Sequence, residues 1–223
     1  MPEQSVIIVG AGGHGSELCA YLRSVVWAGD AVQVAGFVDD NKSVGPFLGT
    51  ELLGGFDGLK EFLADRGKST FFYITAVGDN KIRMDLVRRI KALDARNLRP
   101  YTLRYPGVFV GDLVEIGEGT CLAPGSIVTT RSKIGRHCIL NIKTSVSHDC
   151  IIGDFVNLNP GVTICGNARI GEGGYIGAGA TIIDGVSVGE WSIIGAGAVV
   201  VEGIPPHVTA VGAPARVIKR HAL

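Results

Sequence analysis

From Val110 onward the chain repeats one apolar and polar pattern every six residues without a gap. The leading positions are Val110, Ile116, Leu122, Val128, Ile134, Leu140, Val146, Ile152, Leu158, Ile164, Ile170, Ile176, Ile182, Val188, Ile194 and Val200, all Ile, Val or Leu. The next position is Gly in eight of these 16 hexads. The fifth is small or β-branched throughout, as in Thr120, Ser126, Cys138, Thr144, Ala168, Ala180 and Ala198, and neither the first nor the fifth carries a charge. Such a period predicts a parallel β-helix. Each hexad supplies one short strand and one corner, with the first and fifth residues pointing inward and glycine expected to permit the corner backbone. At three hexads per turn the run makes about five turns of a triangular prism. No insertion interrupts it, so any pocket is built from flat faces and corners. An exposed apolar face would invite packing against copies of the same chain.

The first hundred residues alternate differently. Ser5–Val9 reads as a short buried strand, followed at once by Gly10-Ala11-Gly12-Gly13-His14-Gly15. A helix follows over 16–26, with Leu18, Tyr21, Leu22 and Val25 on one face. Gly10, Gly12 and Gly15 fit G-x-G-x-x-G, a turn that brings backbone close to a phosphate at a helix N-terminus. A second strand, Val32–Val38, ends in Asp39-Asp40, placed for a ribose or base contact. A third, Phe71–Val77, ends in Gly78-Asp79-Asn80. The helix after it has Asp79 or Asn80 as N-cap and Ile82, Leu86, Ile90 and Leu93 on one face. These strands end on what should be one edge of a parallel sheet, where such folds bind ligands. The glycine turn alone also fits a helix merely packed on a sheet, or an NAD-binding domain. The latter is disfavoured because no catalytic domain for hydride chemistry remains. The expected organisation is a Rossmann-like α/β domain over 1–104, a β-helix over 105–205 and a tail over 206–223.

Composition narrows the classes. Glycine is 33 of 223 residues, roughly double average usage, in an apolar chain with only 9 prolines. The glycine therefore serves a regular architecture rather than disorder. Lys+Arg and Asp+Glu are 21 each, a zero net charge that points to no nucleic-acid or membrane-surface partner. No apolar stretch is long enough for a transmembrane helix, and Met1–Ile8 lacks the pattern of a signal peptide. Five cysteines without a C-x-x-C pair favour reduced thiols in the cytoplasm.

One corner carries chemistry. His148 stands third in its hexad, outside the core, with Asp149 next to it. A carboxylate that orients an uncharged imidazole makes a general base near neutral pH. His137 also lies on a corner but has no adjacent carboxylate, and reads as a solvated surface residue. Cys138 and Cys150 fall at inward positions, where thiols are inert. Cys121 and Cys165 are less clearly buried but have no basic neighbour, so a covalent acyl-cysteine route is disfavoured. No His, Cys or Asp cluster has metal-ligand spacing.

The glycine turn, Phe37-Val38-Asp39-Asp40, Gly78-Asp79-Asn80-Lys81-Ile82-Arg83, Ile139-Leu140-Asn141, Ser147-His148-Asp149-Cys150 and Val211-Gly212-Ala213-Pro214-Ala215-Arg216 form an ordered set spanning nearly the whole chain. That set resembles the bacterial sugar O-acyltransferases of the sialic acid O-acetyltransferase type. The family includes N-acetyltransferases acting on nucleotide-linked 4-amino-4,6-dideoxy sugars, and bacillosamine-pathway and perosamine enzymes are nearest in pattern. The resemblance implies a left-handed β-helix and a cytoplasmic homotrimer with active sites between subunits. It implies acetyl-CoA as co-substrate with no permanently bound cofactor, and a role in surface glycan, lipopolysaccharide or glycoprotein synthesis. Carried onto this chain, Gly12, Gly13, His14, Asp39, Asp40 and Gly78 hold the nucleotide sugar, with Asn141 near its amino group. His148 is the base and Asp149 its partner. Asn157, Gly166, Ala178 and Ala196 lie along acetyl-CoA. The family often has a second histidine where this chain has Asn157. Two other readings stay open: a sugar O-acetyltransferase, and a non-catalytic β-helix or sugar-nucleotide binding protein.

Overall fold

The computed structural model describes residues 4–27, 32–67 and 69–221, in two compact units, Met1–Pro106 and Gly107–Leu223. Residues 206–221 belong to the second unit rather than standing apart as a tail.

In the first unit β1 (Gln4–Val9) leads into α1 (Gly13–Trp27) and β2 (Val32–Val38). Then come β3 (Gly45–Phe47), β4 (Thr50–Leu52), α2 (Phe56–Asp65), β5 (Phe71–Thr75), α3 (Asn80–Ala92) and β6 (Leu98–Pro100). The sheet order is β3-β4-β2-β1-β5-β6, parallel except for the β3–β4 hairpin. The chain leaves β1 on one side to form β2 and returns on its other side as β5. The loops after β1, β2 and β5 therefore share the carboxyl edge at a switch in strand order, where open α/β sheets bind ligands. Val6, Ile7, Ile8 and Phe37 are fully buried. On α1, Leu18 and Leu22 are buried and Tyr21 is half-buried, while the side chain of Val25 lies outside the described ones. The hairpin and α2, whose Phe56, Leu59, Phe62 and Leu63 face inward, were not anticipated from the pattern.

The packed face of α3 differs from the expected one. Asn80, Arg83, Val87 and Ile90 are buried, while Ile82 is 53% exposed. Asp79 is the N-cap, accepting from the Ile82 N–H at 2.9 Å. Capping sets the phase of the helix, and that phase turns Arg83 inward. Its guanidinium reaches the Val77 carbonyl (2.8 Å) and Asn80 Oδ1 (3.1 Å), which lets a charged group occupy a core position.

The second unit is a parallel β-helix of two-residue strands. Strands pair at a spacing of 18 residues, as in Phe109, Ile127, Ser145, Thr163, Thr181 and Val199 along one face. The other faces run through Glu115, Lys133, Ile151, Arg169 and Ser187, and through Cys121, Ile139, Asn157, Tyr175 and Ile193. From Val128 to Val200 every leading residue is buried. Each such side chain contributes roughly 1.5–3 kcal/mol.

Glycine's role differs from the expectation. The left-handed backbone falls at the fourth position of each hexad, from Leu113 to Gly197. Eight of those residues are not glycine: Leu113, Arg131, His137, Lys143, Asp149, Phe155, Asn167 and Trp191. None is β-branched, the class for which positive φ costs most. The second-position glycines instead allow close stacking. A Cβ on Gly135 would lie 2.5 Å from the Gly153 carbonyl carbon in the next coil, and one on Gly177 would lie 2.5 Å from the Ala196 nitrogen.

Inward hydroxyls and thiols tie the coils together. Thr120 Oγ1 accepts from the Cys138 N–H (3.1 Å) and donates to the Gly135 carbonyl (2.9 Å). Ser132 repeats this with Cys150 and Ser147. The thiols of Cys138 and Cys150 donate in the same way to the carbonyls of Gly153 and Cys165, both at 3.1 Å.

Candidate active site

The glycine turn separates into structural and open positions. Gly10 has φ +112°, and a Cβ on Gly15 would lie 2.2 Å from the Gly10 carbonyl oxygen, so these two make the turn itself. A Cβ on Gly12 or Gly13 would meet nothing within 4 Å, which leaves their backbone open to a ligand. His14 Nδ1 pairs with Glu17 Oε2 at 3.0 Å, and its Nε2 is shielded from solvent without a hydrogen-bond partner. Asp39 is committed to the loop. Its Oδ2 accepts from the Ala11 N–H and its Oδ1 from the Asn41 N–H, both at 2.9 Å. Asp40 faces a cleft with Gly55, Phe56, Lys60 and Arg89, and pairs with Arg89 at 2.7 Å. The guanidinium of Arg89 lies 3.9 Å from the Phe56 ring centre. Gly78 is exposed at the same edge, its loop held by Arg83 through the preceding Val77 carbonyl.

In the β-helix, His148 is exposed on the corner between strands Ser145–Val146 and Ile151–Ile152. Its Nδ1 lies 2.9 Å from Asp149 Oδ2. Asp149 also takes a bidentate contact from Arg131, one coil below, with Nε and Nη2 each at 2.8 Å. The Arg131 guanidinium, then the imidazole, hold the Asp149 carboxyl well below the usual carboxylate range. Asp149 has φ +58°, a conformation that Asp tolerates better than most residues. With Nδ1 tied to a fixed carboxylate, Nε2 is the nitrogen left to exchange protons. One coil above stands Gly166. A Cβ there would meet His148 Cε1 at 2.5 Å, His148 Nε2 at 2.7 Å and Asp184 Oδ1 at 2.6 Å.

The other expected residues lie elsewhere on the prism. Asn141, Ala178 and Ala196 belong to the corner that follows the Leu140, Ile176 and Ile194 strands, not the His148 corner. Asn157 is only 4% exposed on a flat face, so it does not share the open surface of the corner positions. Arg131 and Asp184 were not singled out from the sequence. The 18-residue turn was the signal that finds them, because residues 131, 149, 167 and 185 stack at one corner position and 148, 166 and 184 at the next.

His137 departs from its expected solvated state: it is 2% exposed and stacks on Phe155 at 5.4 Å. Cys121 is also buried, and burial pushes the Cys150 thiol up, so neither is a poised nucleophile. Among the described residues no group of three His, Cys, Asp or Glu could hold a metal ion. No described helix is long and apolar enough to cross a membrane.

A Rossmann-like domain followed by a left-handed parallel β-helix is the build of a hexapeptide-repeat acyltransferase. Residues 5–90 match the family model described as the PglD N-terminal domain. The chain is 34% identical over 154 residues to GDP-perosamine N-acetyltransferase from Escherichia coli O157:H7, an alignment covering 67% of this chain and 64% of that protein. The crystal structure of a histidine-to-asparagine variant of perosamine N-acetyltransferase from Caulobacter crescentus, in complex with CoA and GDP-perosamine, superimposes with a TM-score of 0.85. It is 32% identical and 96% of each chain is covered. The acetyltransferase domain of PglB from Neisseria gonorrhoeae FA1090 gives 0.84 at 30% identity, covering 97% of this chain and 100% of that one. The chain belongs to the hexapeptide-repeat family of nucleotide-amino-sugar N-acetyltransferases that includes these proteins.

Proposed function

We propose that this protein transfers an acetyl group from acetyl-CoA to the amino group of a nucleotide-linked 4-amino-4,6-dideoxy sugar. The observation that carries the reading is the exposed His148 held through Nδ1 by Asp149. The open Gly12–Gly13 backbone, His14 and the Asp40 cleft, with Gly78 on the same edge, are suited to the nucleotide and its phosphates. Acetyl-CoA is the co-substrate. The product serves bacterial surface-glycan synthesis in the cytoplasm.

The amine nitrogen attacks the thioester carbonyl carbon and a C–N bond forms. His148 Nε2 takes a proton from that nitrogen. The C–S bond then breaks, CoA leaves as thiolate with the electron pair, and the imidazolium returns the proton to sulfur. Asp149 keeps the imidazole in the tautomer with its lone pair on Nε2. Holding both substrates together contributes a large share of the acceleration.

We infer a homotrimer. The face bearing Phe109, Ile127, Ser145, Thr163, Thr181 and Val199 carries no charge at its outward positions, and Phe109 and Ile127 are 57% and 41% exposed. That face lies between the His148 corner and the corner of Asn141, Ala178 and Ala196. Packing it around a threefold axis sets the first corner of one subunit beside the second corner of its neighbour. This accounts for their separation within one chain.

The test is His148→Ala, assayed by CoA release with GDP-, UDP- and dTDP-linked 4-amino sugars. The kcat should fall by roughly 10²–10⁴, the usual worth of a general base. Near-unchanged turnover would remove His148 from the role.

A further inference from the structure

We propose that Asp184 selects an amine over a hydroxyl as the acetyl acceptor; this rests on the function proposed above and deepens it. His148 Nε2 and Asp184 Oδ1 lie 2.7 and 2.6 Å from one shared point, the place a Cβ on Gly166 would fill, so at most about 5.3 Å separates them. No hydrogen bond or ion pair joins them, and Asp184 has no ion-pair or hydrogen-bond partner among the described residues. Gly166 is thus a notch that keeps a basic nitrogen and an unpaired carboxylate facing one small space.

A gap within that limit is one that a single amine can bridge. A tetrahedral nitrogen donating two hydrogen bonds of about 2.9 Å spans about 4.7 Å between its acceptors. An amine seated in front of Gly166, at ordinary contact distance from its Cα, can point one N–H at His148 Nε2 and the other at Asp184 Oδ1. Its lone pair is then left for the thioester carbon. His148 takes the first proton as the C–N bond forms, and the N–H facing Asp184 remains as the amide N–H. A hydroxyl has one proton, which goes to His148. Its lone pairs would then face the carboxylate with no proton between them. Asp184 also attracts the ammonium form that docks before losing its surplus proton to water. Beside the notch Asp149 is matched by Arg131, while the exposed carboxylate of Asp184 lacks a countercharge among the described residues. A cationic acceptor supplies it.

The experiment compares wild type, Asp184→Asn, Asp184→Ala and Asp184→Glu. The substrates are GDP-, UDP- and dTDP-linked 4-amino-4,6-dideoxyhexoses and the 4-hydroxy counterpart of whichever is turned over. Asp184→Asn and Asp184→Ala should raise KM for the amino sugar about tenfold or more, the worth of a hydrogen bond to a charged group. The KM for acetyl-CoA should stay unchanged, the preference for amine over hydroxyl should fall, and Asp184→Glu should recover part of it. If wild type acetylates the amine and both neutral variants keep its KM and its preference, this inference fails while the acetyltransfer reading stands. If wild type acetylates none of the amines, both fail.

Discussion

At the scale of single residues, the proposed chemistry rests on a chain of contacts that runs up one corner of the prism. Arg131 grips Asp149, Asp149 grips His148, and His148 leans over Gly166. Because Asp149 ionises well below the usual range, its charge is present throughout neutral pH and is lost only in strong acid. Arg131 offsets the negative charge that Asp149 places beside the ring. Arg131→Met removes the main cause that holds the Asp149 carboxyl low, so Asp149 should take up its proton at higher pH and the acid limb of the pH–rate profile should move up with it. Arg131→Lys should return part of the shift. An unmoved limb in Arg131→Met would mean that the guanidinium does not act on the base. The His148–Asp149 pair was legible in the sequence because the two are adjacent. Arg131 and Asp184 were not, because their nearness is created by stacking, one and two turns of coil away.

At the scale of elements, sequence pattern located β1, β2, β5, α1 and α3, where apolar runs are bounded by glycine or acidic residues. It missed the β3–β4 hairpin, whose three-residue strands are too short to show a period, and it missed α2 although Phe56, Leu59, Phe62 and Leu63 recur at helical spacing. It also mistook the buried side of α3. Hydropathy favoured Ile82, but the Asp79 cap fixes the helix start and turns Arg83 into the core. This matters for ligand binding, because Arg83 fixes the Val77 carbonyl beside the Gly78 loop. Arg83→Leu removes the guanidinium and leaves the Val77 and Asn80 oxygens without it. Each hydrogen bond to a charged group that is lost costs about 1.5–3 kcal/mol. The variant should show a lower urea midpoint, and thermal-shift titration should show weaker stabilisation by the nucleotide sugar. An unchanged midpoint would mean that the buried guanidinium is dispensable to the domain. The β-helix was the most legible element, since sixteen leading positions obey one rule. Only the reason for its glycines was misplaced, because the period cannot tell a left-handed φ from a close approach between coils.

At the scale of the whole molecule, the separation of the expected residues over two corners becomes a statement about assembly. Within one chain, His148 and Gly166 stand on one corner, and Asn141, Ala178 and Ala196 on another. If the uncharged face between them packs on a threefold axis, every active site takes its base and Gly166 from one subunit and its Ala178 and Ala196 contacts to acetyl-CoA from the next. Complementation tests this directly. His148→Ala removes the base. Ala196→Trp fills the exposed position expected to face acetyl-CoA and leaves the base intact. Each variant alone should be nearly inactive. Unfolded together in equal amounts and refolded, they form mixed trimers in which the His148 corner of an Ala196→Trp subunit can meet the intact Ala196 corner of a His148→Ala subunit. Random assembly of a cyclic trimer makes about a quarter of the boundaries complete in this way, so about a quarter of wild-type activity should return. A site contained in one subunit predicts no recovery at any mixing ratio. The same refolded mixture, run by sedimentation velocity, should sediment as one species of three chains. A monomer that retains activity would overturn the assembly and the shared site together.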